Sequence, residues 1–86
     1  MAVVWIPSLL RPLAGGASTL RIPGATIRDV IDELDRRHPG FRDRLVEDGE
    51  LRPQVAISVD SQVATELDTA IGDDAELHII PAMSGG

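Results

Sequence analysis

The residues that could do chemistry stand at the end of the chain, where Met83, Ser84, Gly85 and Gly86 follow Pro81. The α-carboxyl group of Gly86 has an ordinary pKa of about 3.3–3.7, so it is ionised at neutral pH and is a poor electrophile. It can acylate a nucleophile only after activation, for example as an acyl-adenylate. Because glycine has no β-carbon, its backbone can pass close to another protein in a narrow channel. We therefore expect residues 82–86 to form a thin, flexible tail that reaches roughly 16–18 Å from a folded body of residues 1–81.

Other side chains are weaker candidates for a catalytic or metal site. The chain contains no cysteine, which excludes a disulfide framework, a thiolate nucleophile and cysteine-ligated zinc. His38 follows a predicted helix, where a cation interacts favourably with the helix dipole. Asp73 and Asp74 are adjacent carboxylates without further ligands, which is typical of a turn. We therefore expect no metal site and no set of serine, histidine and acid that could act as a catalytic triad.

Composition limits the classes of partner. The 86 residues suffice for one domain, and 43% hydrophobic residues suit a globular one. The net charge of −6 repels phosphate backbones and anionic lipids, so neither nucleic acid nor a membrane is an expected partner. That charge would suit a partner with a basic docking face. The start of the chain lacks a basic region and is interrupted by Pro7, so we predict no signal peptide or membrane span and a cytoplasmic protein.

Hydrophobic periodicity predicts one main helix among several strands. The helix begins after Thr26 as N-cap, with Asp29 in a variant of the capping box, and ends at His38. Its apolar stripe consists of Ile27, Val30, Ile31 and Leu34. Strands are predicted at 2–6, 18–22, 55–59, 62–64 and 76–80. A long loop at 7–16, a short helix at 41–47, a loop at 49–53 and a helical turn at 67–71 complete the prediction. This order of elements predicts an α+β fold.

The whole sequence resembles the prokaryotic sulfur carriers of the ubiquitin-like β-grasp superfamily, which include the small subunit of molybdopterin synthase and the thiamin-pathway carrier. The resemblance is strongest at Ile79–Gly86, and it includes His38–Gly40 and Gly72–Asp74. The segment Ile6–Gly16 and the single proline before the tail are most similar to the cysteine-biosynthesis branch. At Asp60-Ser61 many relatives carry Asn-Gly, which leaves the turn type open.

The resemblance implies a fold and a reaction cycle. The fold would be a ubiquitin-like β-grasp, with a mixed sheet of about five strands and one main helix packed on one face. An E1-like enzyme would adenylate the Gly86 carboxylate with ATP, and a sulfur donor would convert it to a thiocarboxylate. Ser84 and Gly85, with Met83, would lie in the partner's channel. The chain itself would bind no cofactor and would act as a protein cosubstrate, not as an enzyme.

The resemblance also indicates a candidate docking face. Alternation along the first strand places Val4 and Ile6 towards the helix and Trp5 on the opposite face. The first and last strands of a β-grasp sheet are neighbours, which would place Trp5 near His78 and Ile80. An exposed tryptophan beside an isoleucine is a plausible anchor for a partner. The alternative is that the loop at 7–16 folds over Trp5.

Several functions remain open at this point. The preferred partners are an E1-like adenylating and sulfurylating enzyme and a pyridoxal-phosphate-dependent cysteine synthase. The alternative acceptor is the large subunit of molybdopterin synthase, in molybdenum cofactor biosynthesis. A ubiquitin-like protein modifier and an interaction domain with an inert tail are further alternatives. The residues do not identify the sulfur donor or the oligomeric state.

Overall fold

The computed structural model describes residues 1–81. The strands are β1 Ala2–Trp5, β2 Thr19–Ile22, β3 Val46–Glu47, β4 Glu50–Leu51, β5 Val55–Val59, β6 Gln62–Ala64 and β7 Glu76–Pro81. The α-helices are α1 Ile27–Arg37 and α2 Phe41–Leu45, and a 3-10 helix spans Ser8–Ala14. The predicted tail residues 82–86 lie outside the described residues, so the predicted tail and its boundary stay a prediction.

Five strands form one mixed sheet in the order β2-β1-β7-β5-β6. Strands β1 and β7 are parallel, and the other neighbouring pairs are antiparallel. The last strand therefore lies at the centre of the sheet, hydrogen-bonded on both sides. This arrangement, with α1 as the main helix on one face, confirms the predicted fold class.

The core lies between α1 and one face of the sheet. Side chains of α1 at the predicted stripe are almost completely buried, as are alternate residues of β1 and β7 (Val4, Ile27, Val30, Ile31, Leu34, Leu77 and Ile79). Phe41 and Leu45 on α2 are also fully buried and close one end of the core. The residues predicted to face the core, from a period of 3.6 on the helix and of 2 on the strands, are therefore the ones that the structure buries.

The start of α1 is capped from two directions. The Thr26 hydroxyl accepts a hydrogen bond from the Asp29 N–H at 3.1 Å, as predicted. The Asp29 carboxylate accepts from the Ala25 N–H at 3.3 Å, so the reciprocal bond reaches one residue beyond the N-cap. The N–H groups of Ile27 and Arg28 lack partners within the helix and donate to the carbonyls of Thr69 and Leu67, at 3.1 and 2.7 Å.

The predicted helical turn at 67–71 is wrong, and this capping explains why. A tight turn is closed there by the Thr69 N–H, which donates to the Glu66 carbonyl at 3.1 Å, and Ala70 forms an isolated bridge with Thr26. A helical stretch of five residues has little stability of its own. The carbonyls of Leu67 and Thr69 therefore accept hydrogen bonds from the start of α1 instead of from N–H groups of a helical turn.

Two other connections are more regular than the sequence predicted. The connection after Pro7 contains the 3-10 helix, which buries Leu10 and Ala14 and ends at Gly15 with φ of 65°. The predicted loop at 49–53 contains β4, which pairs with β3. Asp48 and Gly49 connect these strands with φ of 55° and 78°, as a type I′ turn requires. The Asp-Gly pair was the signal for this hairpin, and it was missed.

The turn that the sequence left open, at Asp60-Ser61, has the backbone of a primed hairpin turn. Its φ angles are 49° and 75°, both in the left-handed region. The Asp60 carboxylate accepts from the Glu76 N–H at 2.9 Å, and the Asp60 N–H donates to the Glu76 carbonyl at 2.9 Å. The turn between β5 and β6 is thereby fixed to the first residue of β7.

Leu34→Ala should lower the free energy of unfolding by about 2–5 kcal/mol, because the Leu34 side chain is fully buried beneath the sheet and its removal leaves a cavity. The matched control is Leu9→Ala, since the Leu9 side chain is 52% exposed and should lose less than about 0.5 kcal/mol. Urea denaturation of both variants measures the difference. Equal losses for the two leucines would contradict the burial of the α1 stripe.

Candidate functional site

The predicted reactive residues Met83, Ser84, Gly85 and Gly86 lie outside the described residues, and their roles stay predictions. The structure does place the residue from which they extend. Pro81 ends β7 and is paired with Val55 on β5, while Ile80 is paired with Ala56. The end of β7 is therefore held by β5, whereas β1 pairs only with residues 76–78.

The three residues of the candidate docking face lie together on the sheet face opposite α1. Trp5 and His78 are directly paired across β1 and β7. Their rings are stacked, with centroids 5.3 Å apart and planes inclined by 3°. Trp5 is 42% exposed and Ile80 is 44% exposed. The predicted neighbourhood of Trp5, His78 and Ile80 is therefore observed, whereas their role in docking is untested.

The alternative, that the loop at 7–16 covers Trp5, does not describe the structure. The 3-10 helix directs Leu10 and Ala14 into the core on the other side of the sheet. It leaves beside Trp5 a cleft of about 290 Å³ that is also lined by Arg11, His78 and Pro81. The Arg11 Nε–H donates to the Ile6 carbonyl at 3.0 Å, which holds this side chain at the edge of the cleft.

Small residues on the neighbouring strand increase the accessibility of the docking face. Ala56 and Ser58 on β5 are paired with Ile80 and His78, respectively. Ser58 is only 8% exposed, so the larger side chains on β7 project beyond it. The imidazole of His78 lies 3.8 Å from the Glu76 carboxylate, which can form an ion pair when the histidine is protonated. The face thus combines apolar area with one titratable ring.

The other candidates have structural roles. His38 is the C-cap of α1, where its N–H donates to the Leu34 carbonyl at 2.8 Å. Its ring meets Phe41 edge-on, with centroids 6.4 Å apart. Asp73 and Asp74 form the predicted turn before β7. Residues 1–81 contain no group of three or more histidine, aspartate or glutamate side chains placed to hold a metal ion.

Electrostatics around α1 hold carboxylates in their ionised form. Hydrogen bonds from Arg36 and then Arg37 lower the pKa of Glu33 to about 2. The backbone N–H groups of Arg42 and Gly40 donate to Asp35, at 3.0 and 3.1 Å, and lower the pKa of its carboxyl group. Such groups are poor proton donors at neutral pH. Their role is to fix the ends of α1 and α2, not to act as general acids.

Sequence reasoning missed three arginines that surround the end of β7. Arg11 lines the cleft beside Trp5, and Arg44 and Arg52 line a second cleft that also contains Pro81. Arg11 and Pro81 are 70 positions apart, and they meet only because β1 and β7 are paired. No spacing within the sequence signals this arrangement.

The sheet order, the position of α1 and a central last strand followed by Ser-Gly-Gly define a ubiquitin-like β-grasp protein. The chain belongs to the ThiS family, whose model matches residues 4–86. The expected membership of the sulfur-carrier family is thereby confirmed. Within residues 1–81, no helix has the length and apolar character needed to cross a membrane.

The relatives include proteins from both bacteria and archaea. The chain is 36% identical over 89 residues to the sulfur carrier protein CysO of Mycobacterium tuberculosis, with 96% of each chain covered. It superposes with a TM-score of 0.95 on a chain in the BexX/CysO complex of Amycolatopsis orientalis, at 31% identity and with both chains fully covered. It is also 34% identical over 65 residues to small archaeal modifier protein 3 of Haloferax volcanii, covering 72% of this chain and 71% of the relative.

Proposed function

We propose that this protein is a sulfur carrier whose Gly86 carboxylate is converted to a thiocarboxylate. The observation that supports this most is that the family match extends through the terminal glycines, to residue 86. A similarity confined to the body of the domain would support only the fold, because one fold serves many functions. A match that includes the tail supports a function performed at the tail.

The proposed chemistry has two steps, both in a partner enzyme. A carboxylate oxygen of Gly86 attacks the α-phosphorus of ATP, and pyrophosphate leaves. A donor that supplies sulfur at the oxidation level of sulfide then attacks the acyl carbon, the bond to AMP breaks, and loss of a proton gives the thiocarboxylate. The soft, ionised sulfur can then attack an electrophile in an acceptor enzyme.

The described residues supply binding, and the partners supply catalysis in this proposal. The carboxyl groups with a displaced pKa are Glu33 and Asp35 on α1 and Asp68, and all three pKa values are lowered. None of these groups therefore acts as a general acid near the end of β7. Residues 1–81 would act as the rigid body that presents a thin tail formed by 82–86, and ATP would be bound by the activating enzyme. The protein would be a cosubstrate that positions its own reacting group.

We propose cysteine biosynthesis as the receiving pathway. The support is 36% identity to a CysO sulfur carrier over nearly the whole chain. The likeness to a molybdopterin converting factor subunit from Pyrococcus furiosus is weaker, with a TM-score of 0.69 at 26% identity. The acceptor would be a pyridoxal-phosphate-dependent cysteine synthase that offers an electrophilic β-carbon. The cycle would take place in the cytoplasm.

Lengthening the tail by one residue after Gly86 should abolish ATP–pyrophosphate exchange by an E1-like enzyme, because the carboxyl group would no longer reach the nucleotide. The melting temperature should not change. The control is a chain lengthened at Met1, which alters the length but leaves the carboxyl end intact. Normal exchange with the C-terminal extension would contradict the role of Gly86.

The pathway is tested by supplying the thiocarboxylate form of the full chain separately to two acceptor systems. A cysteine synthase with O-phosphoserine should give a carrier whose mass increases by a cysteinyl group, and then free cysteine. A molybdopterin synthase large subunit with precursor Z should give no product. The reverse result would assign the protein to molybdenum cofactor biosynthesis.

Trp5→Ala should weaken binding to the E1-like enzyme by about 2 kcal/mol or more if Trp5 anchors the docking face. The melting temperature should change little, because the indole is 42% exposed. Val63→Ala is the matched control, since Val63 is exposed on β6, at the far edge of the sheet. Calorimetric titration measures both affinities. A large loss of stability with unchanged affinity would assign Trp5 to folding alone.

A further inference from the structure

Two clefts meet at the point where β7 ends. The outer cleft, of about 290 Å³, lies beside Trp5 and is bordered by Arg11. The end cleft, of about 260 Å³, lies between the 3-10 helix, α2 and β5, and Arg44 and Arg52 line it. Pro81, the last described residue, lines both clefts.

The end cleft has an apolar floor. Leu9, Leu10, Leu45 and Val55 line it together with Pro81. Leu9 is 52% exposed, although its neighbour Leu10 is almost fully buried. An exposed leucine on a surface with an arginine border is typical of a docking surface with an apolar centre and a polar rim.

The charged side chains that line the two clefts are three arginines and one aspartate, Asp43. Arg52 forms an ion pair with Glu47 at 3.5 Å. Within residues 1–81, Arg11 and Arg44 take part in no ion pair, whereas Arg28, Arg36, Arg37 and Arg42 are all paired. The arginines without carboxylate partners are thus concentrated where the tail begins.

The opposite end of the sheet has the opposite charge. Asp60 and Glu76 lie there side by side, and the turn with Asp73 and Asp74 leads into β7. Arg21 on β2 is the strand partner of Val3, which in turn pairs with Glu76 at the start of β7. Within residues 1–81, Arg21 takes part in no ion pair. The two ends are separated by five residues of β7, roughly 17 Å. The Debye length is about 8 Å at physiological ionic strength, so a partner that approaches Pro81 is largely screened from the acidic end.

We propose that the clefts around Pro81 form an arginine-rimmed docking surface for an acidic protein surface, which borders the entrance of the channel that receives the tail. This inference rests on the proposed function, and it specifies the chemistry of the partner. It differs from the expectation, drawn from the net charge of −6, of a partner with a basic docking face. Arg11 and Arg44 accelerate encounter and orient the carrier with its tail towards the channel.

The first test needs no enzyme. The ¹⁵N-labelled full chain is titrated with hexaglutamate at physiological ionic strength, where the two ends are screened from each other, and observed by NMR. Chemical-shift changes should concentrate at Leu9, Arg11, Arg44 and Gln54 and should disappear at 0.5 M salt. Arg44→Gln should reduce them, whereas Arg21→Gln, which removes the same charge from the other end, should not. Shift changes absent from this region, or equal in both variants, would overturn the docking surface whatever the function of the tail.

The second test uses an E1-like enzyme that shows Gly86-dependent pyrophosphate exchange with the wild-type chain. Stopped-flow fluorescence of Trp5, the single tryptophan, reports association. Arg44→Gln should slow association by about fivefold or more at physiological ionic strength, with a smaller effect at high salt and with Arg21→Gln unchanged. Normal exchange with equal rates for both variants would overturn the inference and leave the proposed function intact.

Arg11 requires one further pair of variants, because its Nε–H also bonds to the Ile6 carbonyl. Arg11→Lys keeps the charge and loses the guanidinium geometry, whereas Arg11→Gln loses both. A charge effect predicts slow association for Arg11→Gln and near wild-type association for Arg11→Lys, at matched melting temperatures. Equal slowing in both variants would assign Arg11 to the local fold and exclude it from steering.

Discussion

The parallel pairing of β1 with β7 is the constraint on which the rest of the structure depends. It joins the first and last strands at the centre of the sheet, with Val4 beside Leu77 and Trp5 beside His78. Parallel strands need a long crossover, and here nearly the whole chain forms it. The same pairing assembles the candidate docking face and brings Arg11 to Pro81. In the proposed function, the reacting group at Gly86 follows a strand whose last residues are held by β5.

In this arrangement the two faces of the sheet have different roles. One face of the sheet is used for stability, since α1 buries its apolar stripe against Val4, Leu77 and Ile79. On the other face, small residues on β5 leave Trp5 and Ile80 exposed and His78 half-buried within residues 1–81. The carboxylates with displaced pKa values are engaged around the helices. In the proposed function, activation of the tail then depends on partners, and recognition depends on the exposed face and the clefts around Pro81.

The charge distribution shows why net charge is a poor guide to docking for this protein. Most arginines are neutralised by neighbouring carboxylates along the helices, as at Arg28–Asp68 and Arg37–Glu33. Within residues 1–81 the exceptions lie mainly near Pro81, while the carboxylates of Asp60, Asp73, Asp74 and Glu76 lie around the start of β7. With separations of roughly twice the Debye length, the two ends act as independent surfaces. In the proposed docking, a chain that is acidic overall thus still presents a basic rim to the enzyme that would receive its tail.

The sequence by itself determined the elements whose signals are local. The α1 stripe, its Thr26 cap, the strands of the sheet and the outward direction of Trp5 follow from periodicity and capping chemistry within a few residues. The terminal Gly-Gly and the resemblance could also be recognised from the sequence, and they indicated the family. Local rules failed at 67–71, because the carbonyls there are used to cap α1 from a distance. The Asp48-Gly49 hairpin had a local signal that was overlooked.

Only the tertiary structure decided which distant residues meet. The stacking of Trp5 on His78 requires the register of β1 against β7, and a shift of one residue would place His78 on the buried face. Leu10 on the 3-10 helix is buried because the core leaves space for it. The open cleft beside Trp5 depends on the same packing. The position of Arg11, Arg44 and Arg52 around Pro81 combines three elements from different parts of the chain. Such arrangements depend on packing between elements, which no periodicity within one element records.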